Sequence, residues 1–415
     1  MISSVKKRFL ESTIFKNFSY LSIFRFTEIA LPLVTYPYLI RVLDVTDYGY
    51  ILFSQSIVYY FSVLINYGFN ISATRSIAQN ISNKVKQSEI FSSVIIIKSI
   101  LFFLSLSVLL VSLSVFNLPE KLENLIKVCF AINIYHLIYP IWFFQGTDKM
   151  GYITIISIIS KFIFTALIFI FVKNEGDFIL VPTFWVLGAI IAGGFSIYLT
   201  LKKEKIKLLL VKKSVVKKHF SESTPFFLSS ISVEMYVNAN KVIIGSFLGM
   251  KEVAIYDLAN KILTIIKIPI ITIVQSSFPT FSRNRNIKEI NKYTFIGISL
   301  CIILITLTLI FIEPIIILLG TESLSYSINI TRILVFAAFF VTISQFFGIA
   351  RLVVFEFNKL FSTIISSSAL FYCVMFVILY LTELVTLNSL SLLTVAVEAW
   401  VAILMAIAVF KKKLF

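Results

Sequence analysis

Ten charged residues stand where charge is expensive, inside long apolar runs. Seven are basic: Arg25, Lys98, Lys161, Lys241, Lys261, Lys267 and Arg332. Three are acidic: Glu28, Glu234 and Glu398. On an insertion scale each basic group at mid-bilayer costs about 2.5–3.5 kcal/mol, so seven facing lipid would cost on the order of 20 kcal/mol. That rivals the net stability of a typical fold. These groups must therefore face a bundle interior or water, pair with one another, or snorkel to an interface. The excess of basic over acidic charge predicts a cavity suited to an anionic passenger. An ammonium and a phosphate about 4 Å apart attract by about 4 kcal/mol at an effective dielectric near 20. Several such groups could hold a diphosphate or acidic sugars.

Each residue also has a structural explanation. Lys98 lies within reach of the cytoplasmic headgroups by snorkelling, and Arg332 and Lys241 within reach of the outer ones. Arg25 and Glu28 share one helix face, and Asp257 stands four residues before Lys261, so both pairs can neutralise themselves. Lys161, Lys267 and Glu234 fall near the centres of their spans and are harder to explain this way.

The elements that must position these groups follow from composition. Of 415 residues 58% are apolar and 14% charged, and mean hydropathy is +0.95. This excludes a soluble enzyme, a disordered chain and a disulfide-built secreted domain. Apolar blocks of span length predict an all-α polytopic membrane protein. Twelve spans are expected, near 17–41, 48–70, 91–116, 123–145, 151–172, 178–201, 221–248, 253–280, 291–313, 327–350, 360–381 and 390–410. With both tails in the cytoplasm, 25 Lys and Arg fall inside and 5 outside, which sets the orientation. The net charge of +16 is thus mostly a topology signal, and nucleic acid is not needed to explain it. The first apolar block, interrupted by Arg25, Glu28, Pro32 and Pro37, reads as the first helix rather than a cleavable signal.

Eight lysines between Lys202 and Lys218 divide the chain. The expected organisation is an N-terminal lobe of six spans (1–201), a basic cytoplasmic linker (202–219) and a C-terminal lobe of six spans (220–415). Segments 38–57 and 243–262 match weakly at the same outside turn of each half, which predicts parallel repeats of the kind found in transporters. Cys129, Cys301 and Cys373 lie in apolar blocks, and His136 and His219 are far apart, so no metal site is expected. HExxH, GxSxG and GxxxxGK[ST] are absent, and no catalytic residues are assigned.

Several stretches resemble one family. NYGFNISATRSIAQN (66–80), PIWFFQGTDKM (140–150), LPLVTYPYLIRVLDVTDYGY (31–50) and KVIIGSFLGMKEVAIYDLANKI (241–262) are similar to segments of bacterial polysaccharide repeat-unit (O-antigen type) flippases. These belong to the multidrug/oligosaccharidyl-lipid/polysaccharide exporter (MOP) superfamily. Asp44 replaces the family's usual glycine, and Asn240 stands where an acid is often found.

The resemblance implies a MATE/MOP-like fold of two six-helix lobes around a central cavity. It implies an undecaprenyl-diphosphate-linked oligosaccharide as substrate, carried across the bacterial inner membrane by lobe rocking that a cation gradient drives. The cavity candidates are Arg25, Lys98, Lys161, Lys261, Lys267 and Arg332. Glu28 and Glu234 are candidates for counter-charge or for H+ or Na+ coupling, and no other cofactor is expected. Arg75 and Gln145 are assigned to packing and gating. Expected partners are membrane lipids, a polysaccharide polymerase and a chain-length regulator. The alternatives are a multidrug/cation antiporter of the same superfamily, which should carry an acid-rich cavity, and an integral-membrane polymerase, which should carry a large outside loop.

Overall fold

The computed structural model describes residues 34–414 without interruption, together with Ile23, Thr27, Leu31 and Pro32. Arg25 and Glu28 therefore lie outside the described residues. All regular elements among the described residues are helical. In chain order they are α1 (34–42), α2 (Val45–Asn66), α3 (Phe69–Ala78), α4 (Lys84–Val115), α5 (Glu120–Phe130), α6 (Asn133–Ile138), α7 (Ile141–Gly146), α8 (Met150–Phe171), α9 (Leu180–Tyr198), α10 (Lys213–Val237), α11 (Ala239–Phe247), α12 (Met250–Asn284), α13 (Ile287–Ile310), α14 (Ile312–Leu319), α15 (Ser327–Ser344), α16 (Asn358–Leu381) and α17 (Leu387–Lys411). Wider π-helical turns extend α9 at Leu199–Lys203 and α15 at Gln345–Val353.

Local sequence explains where the helices begin and break. The side chains of Asn83, Asn286 and Thr386 accept backbone N–H groups in the first turns of α4, α13 and α17, filling donors that a helix start leaves open. Pro140 has no N–H to continue a helix, and it separates α6 from α7. Pro182 sits in the first turn of α9, where a missing N–H costs nothing. Pro225 lies inside α10 without ending it. In the connection before α9, the Asp177 carboxylate accepts the backbone N–H groups of Lys173 and Asn174 at 2.9 and 3.0 Å. Those bonds hold it below its ordinary value.

Nine helical stretches among the described residues are long and apolar enough to cross a membrane, so the chain is a multi-pass membrane protein. Three further expected spans account for the difference from twelve. The first, 17–41, lies mostly outside the described residues. The other two, 221–248 and 253–280, are helical as α10–α11 and α12. Exposed side chains such as Leu370, Val374, Val377 and Leu381 along α16 form the lipid-facing surface that a membrane solvent permits.

The helices form two compact units, one of residues up to 44 with 54–231, the other of 45–53 with 232–415. In the first, Trp142, Phe143 and Phe144 of α7 pack with Phe69, Ala73 and Ile77 of α3 and Phe91 of α4. The close approach of α3 to α7 depends on Gly146. The basic stretch after α9 packs in this unit, with the Lys207 and Leu209 backbone N–H groups donating to Ser88 and Ser92 at 3.1 and 2.8 Å. In the second unit α15 packs against α12 and α17, burying small residues such as Ser327, Thr331, Ala337 and Ala338.

A Cβ at Gly146 would lie 2.7 Å from the Thr74 carbonyl oxygen and 2.8 Å from Ile77, whereas one at Gly194 meets nothing within 4 Å. Gly146→Ala should therefore cost about 1–3 kcal/mol of overpacking and lower the Tm of the detergent-solubilised protein. Gly194→Ala, measured alongside, should leave Tm unchanged.

Candidate functional site

The densest charge at membrane depth is in the second unit. Asp257, two turns into α12, is 2% exposed. Its carboxylate takes Lys241 of α11 at 2.5 Å on one oxygen and Lys261 of α12 on the other. Lys261 follows Asp257 by one turn, so helix geometry alone brings them together. Lys241 arrives because α11 and α12 reverse at Gly249, whose φ of 127° is one that L side chains rarely adopt. The two lysine side chains keep some exposure, 17% and 23%, and Lys261 also lies over the Tyr48 ring, 5.8 Å from its centroid. Two cations and one anion leave the trio with a formal charge of +1.

The trio rests on a neutral network. Asn240, beside Lys241, is buried. Its amide nitrogen donates toward Tyr256 Oη at 2.9 Å, the Leu390 carbonyl at 3.1 Å and Thr394 Oγ1 at 2.7 Å, and its oxygen accepts from Tyr372 at 2.5 Å. Asn240 thus ties α11 to α12, α16 and α17. The break between α10 and α11 falls at Asn238, whose side chain donates to Glu234 Oε2 at 2.7 Å.

The remaining candidates are dispersed. Lys267 is half-buried on α12 and lies in the electrostatic field of Glu398 on α17. Arg332 stands 3.7 Å from Glu313, with both side chains more than half exposed. In the first unit Lys161 is half-buried on α8. Lys98 on α4 is 1% exposed. It donates to Asn66 Oδ1 at 3.1 Å and to the His136 carbonyl at 2.9 Å, while the Asn66 amide meets His136 Nδ1 at 3.1 Å. Lys98 therefore turns inward rather than snorkelling, and its hydrogen-bond partners are neutral. Within the second unit the structure brings Lys261 together with Lys241; Lys98 and Lys161 belong to the first.

A family model described as polysaccharide biosynthesis protein matches residues 14–285. The chain belongs to that family. It is 27% identical over 411 residues to a protein of Escherichia coli (strain K12) named "Putative O-antigen transporter", covering 96% of this chain and 97% of that one. A protein of Shigella dysenteriae with the same name is 27% identical over 315 residues, 74% of this chain and 78% of its own length. Among solved structures, an inward-facing multidrug resistance MATE family transporter of the MOP superfamily superposes with a TM-score of 0.70 at 16% identity, covering 92% of this chain and 99% of that chain. A MOP superfamily transporter from Pyrococcus furiosus gives 0.61 at 14% identity, with 95% of each chain covered. The fold is therefore MATE-like, as the sequence predicts.

Family membership gives context to two of the motif segments. The SATR segment lies on α3 and WFFQG on α7, and Thr74 Oγ1 donates to the Trp142 carbonyl at 3.2 Å. Both segments build the core of the first unit, with Arg75 exposed and Gln145 half-buried beside it. Sequence reasoning missed two residues. Arg351, one of the 25 basic residues that the sequence assigns to the cytoplasmic side, is buried. It donates to the carbonyls of Leu414 and Phe346, to Thr294 and to Asn291, at 2.6–3.1 Å. Glu204 is also buried and draws in Lys149 and, at 3.7 Å, Lys84. Neither position has a local sequence signal.

Removing one partner from a buried ion group typically costs about 3–5 kcal/mol. Asp257→Asn should accordingly lower Tm sharply by leaving two ammonium groups side by side. Adding Lys241→Met to that variant should recover part of the loss in the same thermal-unfolding measurement. An equal Tm for Asp257→Asn and wild type would show that the trio carries no structural charge balance.

Proposed function

We propose that this protein is a flippase that moves an undecaprenyl-diphosphate-linked oligosaccharide repeat unit, of O-antigen or capsule type, across the bacterial inner membrane by alternating access. Both termini face the cytoplasm. The observation that carries the reading is the Lys241–Asp257–Lys261 trio. It places two lysines with partly exposed side chains around a single carboxylate within the spanning helices. A lipid diphosphate is the anion that a membrane itself delivers to such a depth. Lys161 and Lys267, half-buried on α8 and α12, are further contact points. Arg332 and Arg25 complete the proposed basic set. The similarity to proteins named as O-antigen transporters over nearly the whole chain supports the sugar-bearing cargo.

Energy would come from a cation gradient. Glu234, beside the α10–α11 break, is the proposed coupling carboxylate, with Glu28 as its partner candidate in the first span. A polysaccharide polymerase and a chain-length regulator would act on the delivered unit. A cationic drug is a poorer cargo, since the trio would repel it.

A deletion strain should accumulate lipid-linked repeat units on the cytoplasmic leaflet while glycosyltransferase activity in extracts stays normal. Repeat units found outside but unpolymerised would instead make the protein a polymerase. At the residue level, Lys261→Gln and Lys267→Gln should each reduce export at least about tenfold at unchanged protein level, the loss of roughly 1.4 kcal/mol of anion attraction. Surface polysaccharide at wild-type amounts in both variants would remove these lysines from the path.

A further inference from the structure

A separate cavity of about 870 Å³ opens where α16 begins and α17 ends. Its walls include Leu360, Ile364, Leu404 and Ala408, and its polar lining carries Lys359, Lys411 and Lys412. The apolar side continues into a packed cluster with Leu352, Val401 and Met405, so that part of the cavity has an apolar, preformed floor. The three lysines are exposed. Lys412 is held over the Phe357 ring, 5.0 Å from its centroid. One carboxylate, Glu356, also lines the cavity, but it is engaged by Arg285. The cavity therefore has an acyl-compatible wall on one side and a cluster of positive charge on the other, at a membrane end of two lipid-facing helices. The first turn of α16 adds N–H groups without a side-chain cap.

We infer that this cavity is a binding site for an anionic phospholipid, with the phosphate among Lys359, Lys411 and Lys412 and the upper acyl chain along Leu360, Ile364, Leu404 and Ala408. The chemistry is complementary on both halves. A free phosphate would leave the apolar wall empty, and a zwitterionic lipid would bring no net charge to the lysines. Basic clefts between spanning helices on the cytoplasmic side commonly take acidic headgroups. The volume falls in the range of preformed small-molecule sites. The site shares no residue with the trio at Asp257, and it stands whether or not the transport reading does. Its role would be to seat the ends of α16 and α17 in an acidic leaflet.

The test uses the full-length protein in phosphatidylcholine nanodiscs containing a minority of phosphatidylglycerol, with retained lipid read by native mass spectrometry. Wild type should retain phosphatidylglycerol well above its share of the disc. Each Lys→Gln change at 359, 411 and 412 should lower that enrichment about fivefold and the triple change about a hundredfold. The triple Lys→Arg variant should restore it, which excludes misfolding as the cause. Ala408→Trp, which fills the apolar half without touching charge, should also displace the lipid. Retention at the bulk ratio by wild type, or unchanged enrichment in the triple Gln variant, would overturn the site. Undecaprenyl diphosphate added at a level equal to the phosphatidylglycerol should not displace it. Displacement would overturn the phospholipid assignment and make the cavity a cargo site.

Discussion

One carboxylate holding two ammonium groups is the interaction on which the second unit depends. A lone Asp257 at membrane depth would be costly, and so would Lys241 or Lys261. Together they cancel most of one another's field, and the geometry of three elements follows from the need to keep them together. The turn at Gly249 folds α11 back against α12. The helix pitch sets Lys261 on the same face as Asp257. Asn240, one residue from Lys241, is fixed by four neighbours on three helices, so the lysine beside it leaves a backbone that cannot drift. The first unit uses the same arithmetic at the ends of its helices, where buried Glu204 stands between Lys149 and Lys84. In each case two mobile cations are drawn onto one carboxylate that the fold has already immobilised, so less side-chain entropy is lost than in two separate pairs.

Buried cations are also held by neutral oxygens. Arg351 makes four hydrogen bonds to carbonyl and side-chain oxygens of α13, the π-helical turn and the C-terminal end of the chain. Its planar fork suits such dispersed acceptors. Arg351 itself lies in the wider π-helical turn. Lys98 has fewer acceptors, Asn66 and the His136 carbonyl, and its charge is answered only by dipoles. Neutral partners satisfy hydrogen bonds but do not cancel charge. Lys98 is thus the less compensated of these two buried cations, although the surrounding packing closes it off.

What could be read from the sequence follows from what is local. Span positions were legible because some 20 apolar residues in a row have few other uses. The Asp257–Lys261 pair was legible because a four-residue spacing on a helix implies contact. Lys241 was assigned to snorkelling because its partner lies 16 positions on, across a reversal whose tightness depends on one glycine. Arg351 looked like a topology charge because it follows an apolar block, and nothing nearby announces that the C-terminal end of the chain returns to cover it. Lys98 could be placed at the right depth but not turned inward, since helical rotation within a bundle is set by neighbours. The SATR and WFFQG segments were recognisable as a resemblance, but their physical meaning, a close α3–α7 contact through Gly146, required both helices at once.

Compensation changes what the basic residues can do for the proposed cargo. A lysine alone in hydrocarbon would seize a diphosphate and hold it, which suits a trap and not a carrier. Passage requires binding favourable enough to admit a ligand and weak enough to release it. At the trio an arriving anion would share two ammonium groups with Asp257, so the gain would be the difference between two attractions rather than the whole of either. The resident carboxylate would reclaim its partners when such an anion left. In this view Asp257 does more than neutralise the site: it is the competitor that keeps the cargo exchangeable.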